Sequence, residues 1–209
     1  MAKLLRILFR LDIAASILIA LALLVVSFAP GHGMPVWRWT GPPAGWQTYR
    51  DATLGFAISY PKGWKVDRNS DYVGFGPDHN ISGVAFRIPA AITTGTNLSP
   101  NLTAVGVDSV TGPGRCDAKR LLADPRDIHT LTDNGIRYST ATASDAGAGN
   151  LYDIVIYAVV GSRPCLGVRY FIHSTNIGNY DPGTIKPFDR AKLLALFDSI
   201  RRTLVLHPK

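Results

Sequence analysis

The sequence predicts one α+β domain that follows an N-terminal transmembrane helix. Three observations support this: an uncharged apolar run near the N-terminus, a succession of short alternating segments after it, and one amphipathic segment near the C-terminus. Of the 209 residues, 46% are hydrophobic and 18% are charged, which excludes a wholly disordered chain. All 15 acidic residues are aspartates, and because aspartate is a poorer helix former than glutamate, the composition disfavours a helical bundle. The residues beyond the apolar run, about 170, suit one core better than two.

The first 29 residues are typical of an export segment. Lys3, Arg6 and Arg10 precede the apolar run 13–29, whose 17 residues are close to the shortest length that crosses a bilayer. This basic flank keeps residues 1–12 in the cytoplasm and predicts that the rest of the chain is exported. A small-x-small cleavage site ends at Ala29, but Pro30 follows at once. We therefore favour an uncleaved, single-pass anchor in a bacterial inner membrane over a periplasmic protein released by signal cleavage.

Residues 30–45 form a predicted linker, because eight of these 16 residues are glycine or proline. Trp37, Arg38 and Trp39 lie within it. Tryptophan favours the headgroup region of a membrane and arginine favours anionic lipid, so these three residues are candidates for a membrane interface. The alternative is that the tryptophans pack on the following domain, 46–209.

Most of that domain has the patterning of strands. Asp133-Asn134-Gly135 predicts a tight hairpin between two of them, and the two longest apolar segments predict central positions in a sheet. Cys116 to Ala123 predicts a short helix. The predicted strands are 55–60, 64–66, 72–75, 83–88, 105–110, 128–131, 136–143, 151–160 and 165–172.

The period changes near the C-terminus, where residues 188–202 predict an amphipathic helix. Its apolar stripe is formed by Leu193, Leu196, Phe197 and Ile200, and Leu204 continues it. We expect this stripe to pack across the sheet.

Cys116 and Cys165 both lie in the exported part of the chain. An even number of cysteines in an oxidising compartment predicts one disulfide, and the alternative is two buried free thiols. A metal site is not predicted, since neither cysteine has a CxxC partner or clustered histidines.

Both ends of the domain resemble PsbP-like domains. Tyr49-Arg50-Asp51 with Gly55–Trp64 is similar to the first hairpin of that family, and Phe197–Leu204 is similar to its final helix. The resemblance implies an antiparallel β-sheet sandwiched between helices, an α/β/α arrangement. It also implies an accessory or binding role without catalysis, since most members have such roles and several are tethered to bacterial envelopes.

The densest polar and aromatic cluster follows the last predicted strand and is the candidate binding surface. It consists of His173, Ser174, Asn176, Asn179 and Tyr180, and a purely structural turn is the alternative. Adjacent residues of a strand point to opposite faces, so His173 and Ser174 are not expected to form a base–nucleophile pair.

Other chemistries lack their motifs. The chain has no G-x-S-x-G or S-x-x-K motif, and Gly74-Phe75-Gly76 is followed by Pro77 rather than a helix, so neither catalytic residues nor a cofactor is predicted. The net charge is +7, spread without runs, which disfavours nucleic acid and suits a location near anionic lipid or an anionic envelope polymer.

The sequence therefore predicts a membrane-anchored, non-catalytic periplasmic binding or accessory module. Its expected partners are the inner membrane, an envelope protein complex or an anionic envelope polymer. The alternative is an envelope hydrolase or small-ligand enzyme that uses His173 or His129. That alternative requires one of these imidazoles to lie within about 3 Å of a serine or aspartate oxygen.

Overall fold

A computed structural model describes residues 42–76 and 79–207. The predicted cytoplasmic segment 1–12, the anchor 13–29 and linker residues 30–41 lie outside the described residues. In the described part, two antiparallel sheets pack with two α-helices, α1 (Ala118–Leu121) and α2 (Arg190–Arg201). The strands are β1 (Trp46–Asp51), β2 (Phe56–Pro61), β3 (Lys65–Tyr72), β4 (Ile81–Arg87), β5 (Ala104–Val110), β6 (Arg126–Asp133), β7 (Ile136–Gly147), β8 (Asn150–Val159), β9 (Cys165–Thr175) and β10 (Val205–Leu206).

The larger sheet has seven strands in the order β3-β4-β5-β9-β8-β7-β6, and the smaller sheet has the order β1-β2-β10. Strand β9 lies at the centre of the larger sheet with β8 beside it, which confirms the prediction from their apolar runs. The hairpin between β6 and β7 turns at Asn134 and Gly135, with φ of 50° and 76°. These left-handed conformations suit a tight hairpin, and glycine adopts them without strain.

The main core lies on one face of the larger sheet, which is covered by the small sheet and by α2. Phe56 and Ile58 from β2 pack there with Tyr170 from β9. Leu193, Phe197 and Ile200 of the predicted stripe are buried, and Leu196 is half-buried. Helix α2 begins after Asp189, whose carboxylate accepts a hydrogen bond from Lys192 N at 2.9 Å, a typical N-cap.

The opposite face of the larger sheet is covered at one end only. Helix α1 packs there through Leu121 against Ile156, and the disulfide Cys116–Cys165 joins the segment before α1 to the start of β9. The predicted disulfide is thus confirmed. Beyond α1 this face carries no further helix among the described residues, so the expected helical cover on both faces is present only in part and the fold is mostly β.

Two predicted elements differ from the structure. The segments 64–66 and 72–75 are not two strands, because β3 is one continuous strand that ends at Tyr72 and bulges between Asp67 and Ser70. As an edge strand it is polar on both faces, which obscured its alternation. The helix expected over residues 116–123 is a single turn, because Asp124 has a φ of 47° and Pro125 follows it. Within residues 42–76 and 79–207, no helix has the length and apolar character needed to cross a membrane.

Candidate functional site

The uncovered part of the larger sheet forms the floor of a pocket of about 610 Å³, here called the sheet pocket. Small residues make this floor: Ala85 from β4, Ala104 and Gly106 from β5, and Ala143 from β7. Larger side chains at these positions would occupy the space above the sheet. A volume of this size is typical of sites for small molecules.

An ion pair lies at the base of the sheet pocket. Arg169 Nε donates to Asp108 Oδ2 at 2.7 Å, and Arg169 Nη2 lies 2.5 Å from the same oxygen. Both residues are only 5% exposed. Burial raises the pKa of Asp108, and the Arg169 guanidinium partly offsets this effect. The two strands approach closely here, since a Cβ on Gly83 would lie 2.7 Å from Asp108 Oδ1.

Tyr72, at the end of β3, forms one wall of the pocket. Its ring covers Arg169, with the guanidinium carbon 3.6 Å from the ring centroid, and its hydroxyl accepts a hydrogen bond from Ala123 N at 3.3 Å. Gly74 permits this position, because a Cβ there would lie 2.2 Å from the Tyr72 hydroxyl oxygen. The guanidinium is therefore held between a carboxylate and an aromatic face.

The facing wall is aromatic as well. Tyr152 from β8 and Phe171 from β9 have ring centroids 6.0 Å apart. Tyr152 also stacks on His173, with centroids 4.8 Å apart. The sheet pocket thus has aromatic side chains on two sides.

Carboxylates dominate the charged groups of the sheet pocket. Asp67 pairs with Arg87 at 2.7 Å, and the hydrogen bond from Arg87 holds the pKa of Asp67 below its ordinary value. Three further aspartates lie on the rim and are exposed: Asp71, Asp124 and Asp145. The lining in the described part of the chain contains five aspartates against two arginines, whereas the whole chain has a net charge of +7.

The predicted binding cluster does not form one surface. His173 Nδ1 lies 2.8 Å from the Asn101 carbonyl oxygen, and Nε2 lies 2.8 Å from Asn150 Oδ1. Ser174 is buried on the other face of the sheet, as the alternation of a strand predicts. It lines a second pocket of about 490 Å³ near the start of α2.

The remaining residues of the cluster support the turn after β9. The Asn176 carbonyl side chain accepts from Gly178 N at 2.9 Å, and Asn179 Nδ2 donates to the Gly149 carbonyl at 3.1 Å. The Tyr180 hydroxyl lies 2.8 Å from Thr175 Oγ1. Of the five predicted residues, His173 alone contacts a wall of the sheet pocket, through Tyr152. The proposed interface residues Trp37, Arg38 and Trp39 lie outside the described residues.

The geometry required for the hydrolase alternative is absent among the described residues. His129 lies on the exposed edge strand β6, and its Nδ1 is 2.8 Å from the Asp127 backbone carbonyl. Neither His129 nor His173 has a recorded hydrogen bond to a serine hydroxyl or an aspartate carboxylate in residues 42–76 and 79–207. In the same part of the chain, no group of three or more histidine, cysteine or acidic residues is placed to hold a metal ion.

The residues of the sheet pocket were missed by the sequence prediction. One signal was present: Asp108 and Arg169 each interrupt an otherwise apolar predicted strand with a charge of opposite sign. Buried charges of opposite sign are generally paired, so the two strands were candidates for neighbours. Nothing comparable identifies Tyr72, Tyr152 or Phe171.

No family model matches the sequence, and no curated protein matches it. Among solved structures, the chain is similar to the solution structure of cyanobacterial PsbP (CyanoP) from Synechocystis sp. PCC 6803, with a TM-score of 0.43 and 16% sequence identity. The match covers 80% of this chain and 95% of that chain. The comparison concerns the fold alone and agrees with the resemblance at the two ends of the domain.

Proposed function

We propose that the protein is a membrane-anchored, non-catalytic binding module whose exported domain takes a small ligand in the sheet pocket. The observation that carries this proposal is the pocket itself: about 610 Å³ over a floor of small residues, with aromatic walls and a buried ion pair beneath. A sheet face of this kind is normally covered by another layer of structure. Here a ligand would supply the missing cover.

A binding role suits the groups in the pocket better than a catalytic one. Nucleophilic and acid–base catalysis need an activated side chain held by an orienting partner. The Asp108 carboxylate is instead held by Arg169, and Asp67 is held by Arg87. These pairs shape the pocket and fix its walls.

The proposed location is based on the sequence and on the disulfide. Lys3, Arg6 and Arg10 before the apolar run 13–29 favour export of the following domain. A disulfide between Cys116 and Cys165 persists in an oxidising compartment, which fits the periplasm. An envelope protein complex or an anionic envelope polymer as an additional partner remains a prediction.

The experiment that tests the binding function fills the pocket. Ala143→Phe places a ring over the pocket floor, and Ala195→Phe places the same ring on the exposed side of α2, on the other face of the sheet. The full chain in mild detergent is screened by ligand-observed NMR against small amphipathic compounds of positive, zero and negative charge. We expect compounds that bind the wild type and the Ala195→Phe variant but not the Ala143→Phe variant. If no compound shows this pattern, the binding proposal is wrong.

A further inference from the structure

We infer that the ligand of the sheet pocket is a small organic cation, an ammonium or guanidinium group attached to an apolar body. This inference rests on the proposed binding function and adds the chemical class of the ligand. It follows from the charges and the apolar surfaces that the pocket presents to an occupant.

The charges of the pocket leave a negative excess at its mouth. The two arginines that line it are already paired, Arg169 with Asp108 and Arg87 with Asp67. The three rim carboxylates have no arginine or lysine against them within the described lining. Asp124 faces outward to Arg126 at 3.3 Å in a highly exposed pair, which neutralises it weakly. An entering cation therefore meets uncompensated negative charge within the range of a few ångströms where salt screening is small.

The apolar surfaces of the pocket suit the body of such a ligand. Phe171 and Tyr152 form one aromatic wall, and aromatic faces attract cations as well as apolar groups. Val73 and Leu102, which are 63% and 39% exposed, add aliphatic surface at the rim. An occupant with an apolar body contacts these walls while its charged group lies near the rim carboxylates.

Ligands of other charge are disfavoured by the same groups. An anion needs a free donor cation, and each lining guanidinium already binds a carboxylate. A neutral apolar ligand would cover the rim carboxylates without compensating their lost hydration, which is unfavourable. Only a cation gains from every side of the pocket.

The test uses compounds that share a body and differ in charge. The probes are 2-phenylethylammonium, 2-phenylethanol and phenylacetate, together with quaternary ammonium and guanidinium compounds and their alcohol and carboxylate counterparts. Affinities are measured by titration calorimetry and NMR on the full chain in mild detergent. We expect the cations to bind about tenfold or more tightly than their alcohols, as three weak charge contacts imply, and the carboxylates not to bind.

Variants locate the effect at the rim. Asp71→Asn, Asp124→Asn and Asp145→Asn together should weaken the cations about tenfold and leave the alcohols unchanged. Asp181→Asn, an exposed aspartate outside the pocket lining, is the matched control and should change neither. Should the triple variant fold poorly, as shown by a lowered unfolding midpoint, Asp145→Asn alone gives a smaller loss in the same direction.

Two results would overturn the inference, and they are distinguishable. Binding that Ala143→Phe abolishes but that shows no preference for cations overturns the ligand class and leaves the binding function standing. Failure of every compound, whatever its charge, to bind in a manner that Ala143→Phe abolishes overturns both.

Discussion

At the scale of single residues, the unusual feature of this domain is the pair of charges buried in the middle of its larger sheet. Asp108 lies on β5 and Arg169 on β9, and the register pairs Gly106 with Arg169 and Asp108 with Gly167. The glycines leave room for the two charged side chains to lie across the strands. A pair this deeply buried is strongly destabilised when one partner is removed, because the other charge remains without compensation.

The first prediction concerns this pair. Asp108→Asn should lower the free energy of unfolding by about 3–5 kcal/mol, since the Arg169 guanidinium then lacks its counter-charge. The double variant Asp108→Leu with Arg169→Met should recover most of the loss, because it removes both charges. Urea unfolding of the full chain followed by tryptophan fluorescence measures both.

Asp67→Asn is the matched control, since its pair with Arg87 is partly exposed, at 31% and 24%. Its loss should be about 1 kcal/mol or less. Equal losses for the Asp67 and Asp108 variants would contradict the special role of the buried pair.

A second polar cluster connects α2 to the larger sheet. Arg201 is 3% exposed, and it donates to Asp133 Oδ2 at 2.6 Å and to the Tyr170 hydroxyl at 3.0 Å. The guanidinium carbon also lies 4.4 Å from the ring centroid of Tyr157. Burial raises the pKa of Tyr170, and its protonated hydroxyl donates to Asp198 at 2.7 Å. Arg201 therefore joins the end of the helix to β9 and to the turn after β6.

The second prediction is a pH dependence of stability that comes from Asp133. Burial alone would raise the pKa of this carboxyl, but hydrogen bonds from Arg201 and Arg202 outweigh it and hold the pKa below its ordinary value of 3.8. A lowered pKa means that the carboxylate stabilises the fold above the ordinary value, and that this contribution disappears as the pH falls through the lowered value. Asp133→Asn should therefore unfold at a lower temperature than the wild type at pH 7, and the difference should shrink below about pH 4.

Thermal unfolding followed by circular dichroism from neutral to acidic pH measures this difference. The Asp181→Asn variant, in which an exposed carboxylate is removed, should follow the wild type at every pH. A gap between wild type and Asp133→Asn that stays constant down to pH 2 would show that the carboxylate charge is not responsible.

At the scale of secondary-structure elements, the disulfide holds the one small helix against the open face of the sheet. Cys116 precedes α1 and Cys165 begins β9, and the two cysteines are 49 residues apart in sequence. Helix α1 is a single turn, which is too short to be stable by itself. Its position over the sheet therefore depends on Leu121 and on the covalent link.

The third prediction follows from this link. Replacing both cysteines by alanine should lower the free energy of unfolding by about 4 kcal/mol, as the loss of a cross-link over a loop of this length implies. Reductant should destabilise the wild type by a similar amount and leave the double variant unchanged. Urea titrations with and without reductant provide the measurement, and a loss below about 1 kcal/mol in both would contradict the prediction.

At the scale of the whole molecule, the distribution of charge is uneven. The chain carries a net charge of +7, yet the lining of the sheet pocket is acidic. A basic protein is attracted to anionic membranes and polymers, whereas an acidic pocket in that protein repels their charged groups. The surface and the pocket are thus suited to partners of opposite charge.

The fourth prediction concerns the orientation of the whole chain. Alkaline phosphatase fused to the C-terminus should be active in a bacterial host, and green fluorescent protein fused there should not fluoresce after export, because the basic flank retains the N-terminus in the cytoplasm. Replacing Lys3, Arg6 and Arg10 by asparagine should weaken this orientation. The opposite pattern of reporter activity would refute export of the domain.

Particular residues show how far the sequence was sufficient. Asn134-Gly135 predicted the β6–β7 hairpin, the apolar runs predicted the central positions of β8 and β9, and the spacing of Leu193, Phe197 and Ile200 predicted the buried face of α2. The candidate cluster around His173 was chosen from polarity alone, and its asparagines serve the local turn instead. Polar residues next to a strand stabilise turns as readily as they bind ligands, and sequence spacing does not separate the two.

The local properties of this protein were determined by the sequence alone: where its strands and main helix run, where one hairpin turns, and that its two cysteines would pair. These depend on periodicity, turn chemistry and composition, which act over neighbouring residues. Only the tertiary structure decided that one sheet face would remain open, and that Tyr72, Asp108, Tyr152 and Arg169 would meet there. The pairing of Asp108 with Arg169, 61 residues apart, depends on which strands become neighbours and in which register. That choice is made by the packing of the whole core, which no local pattern encodes.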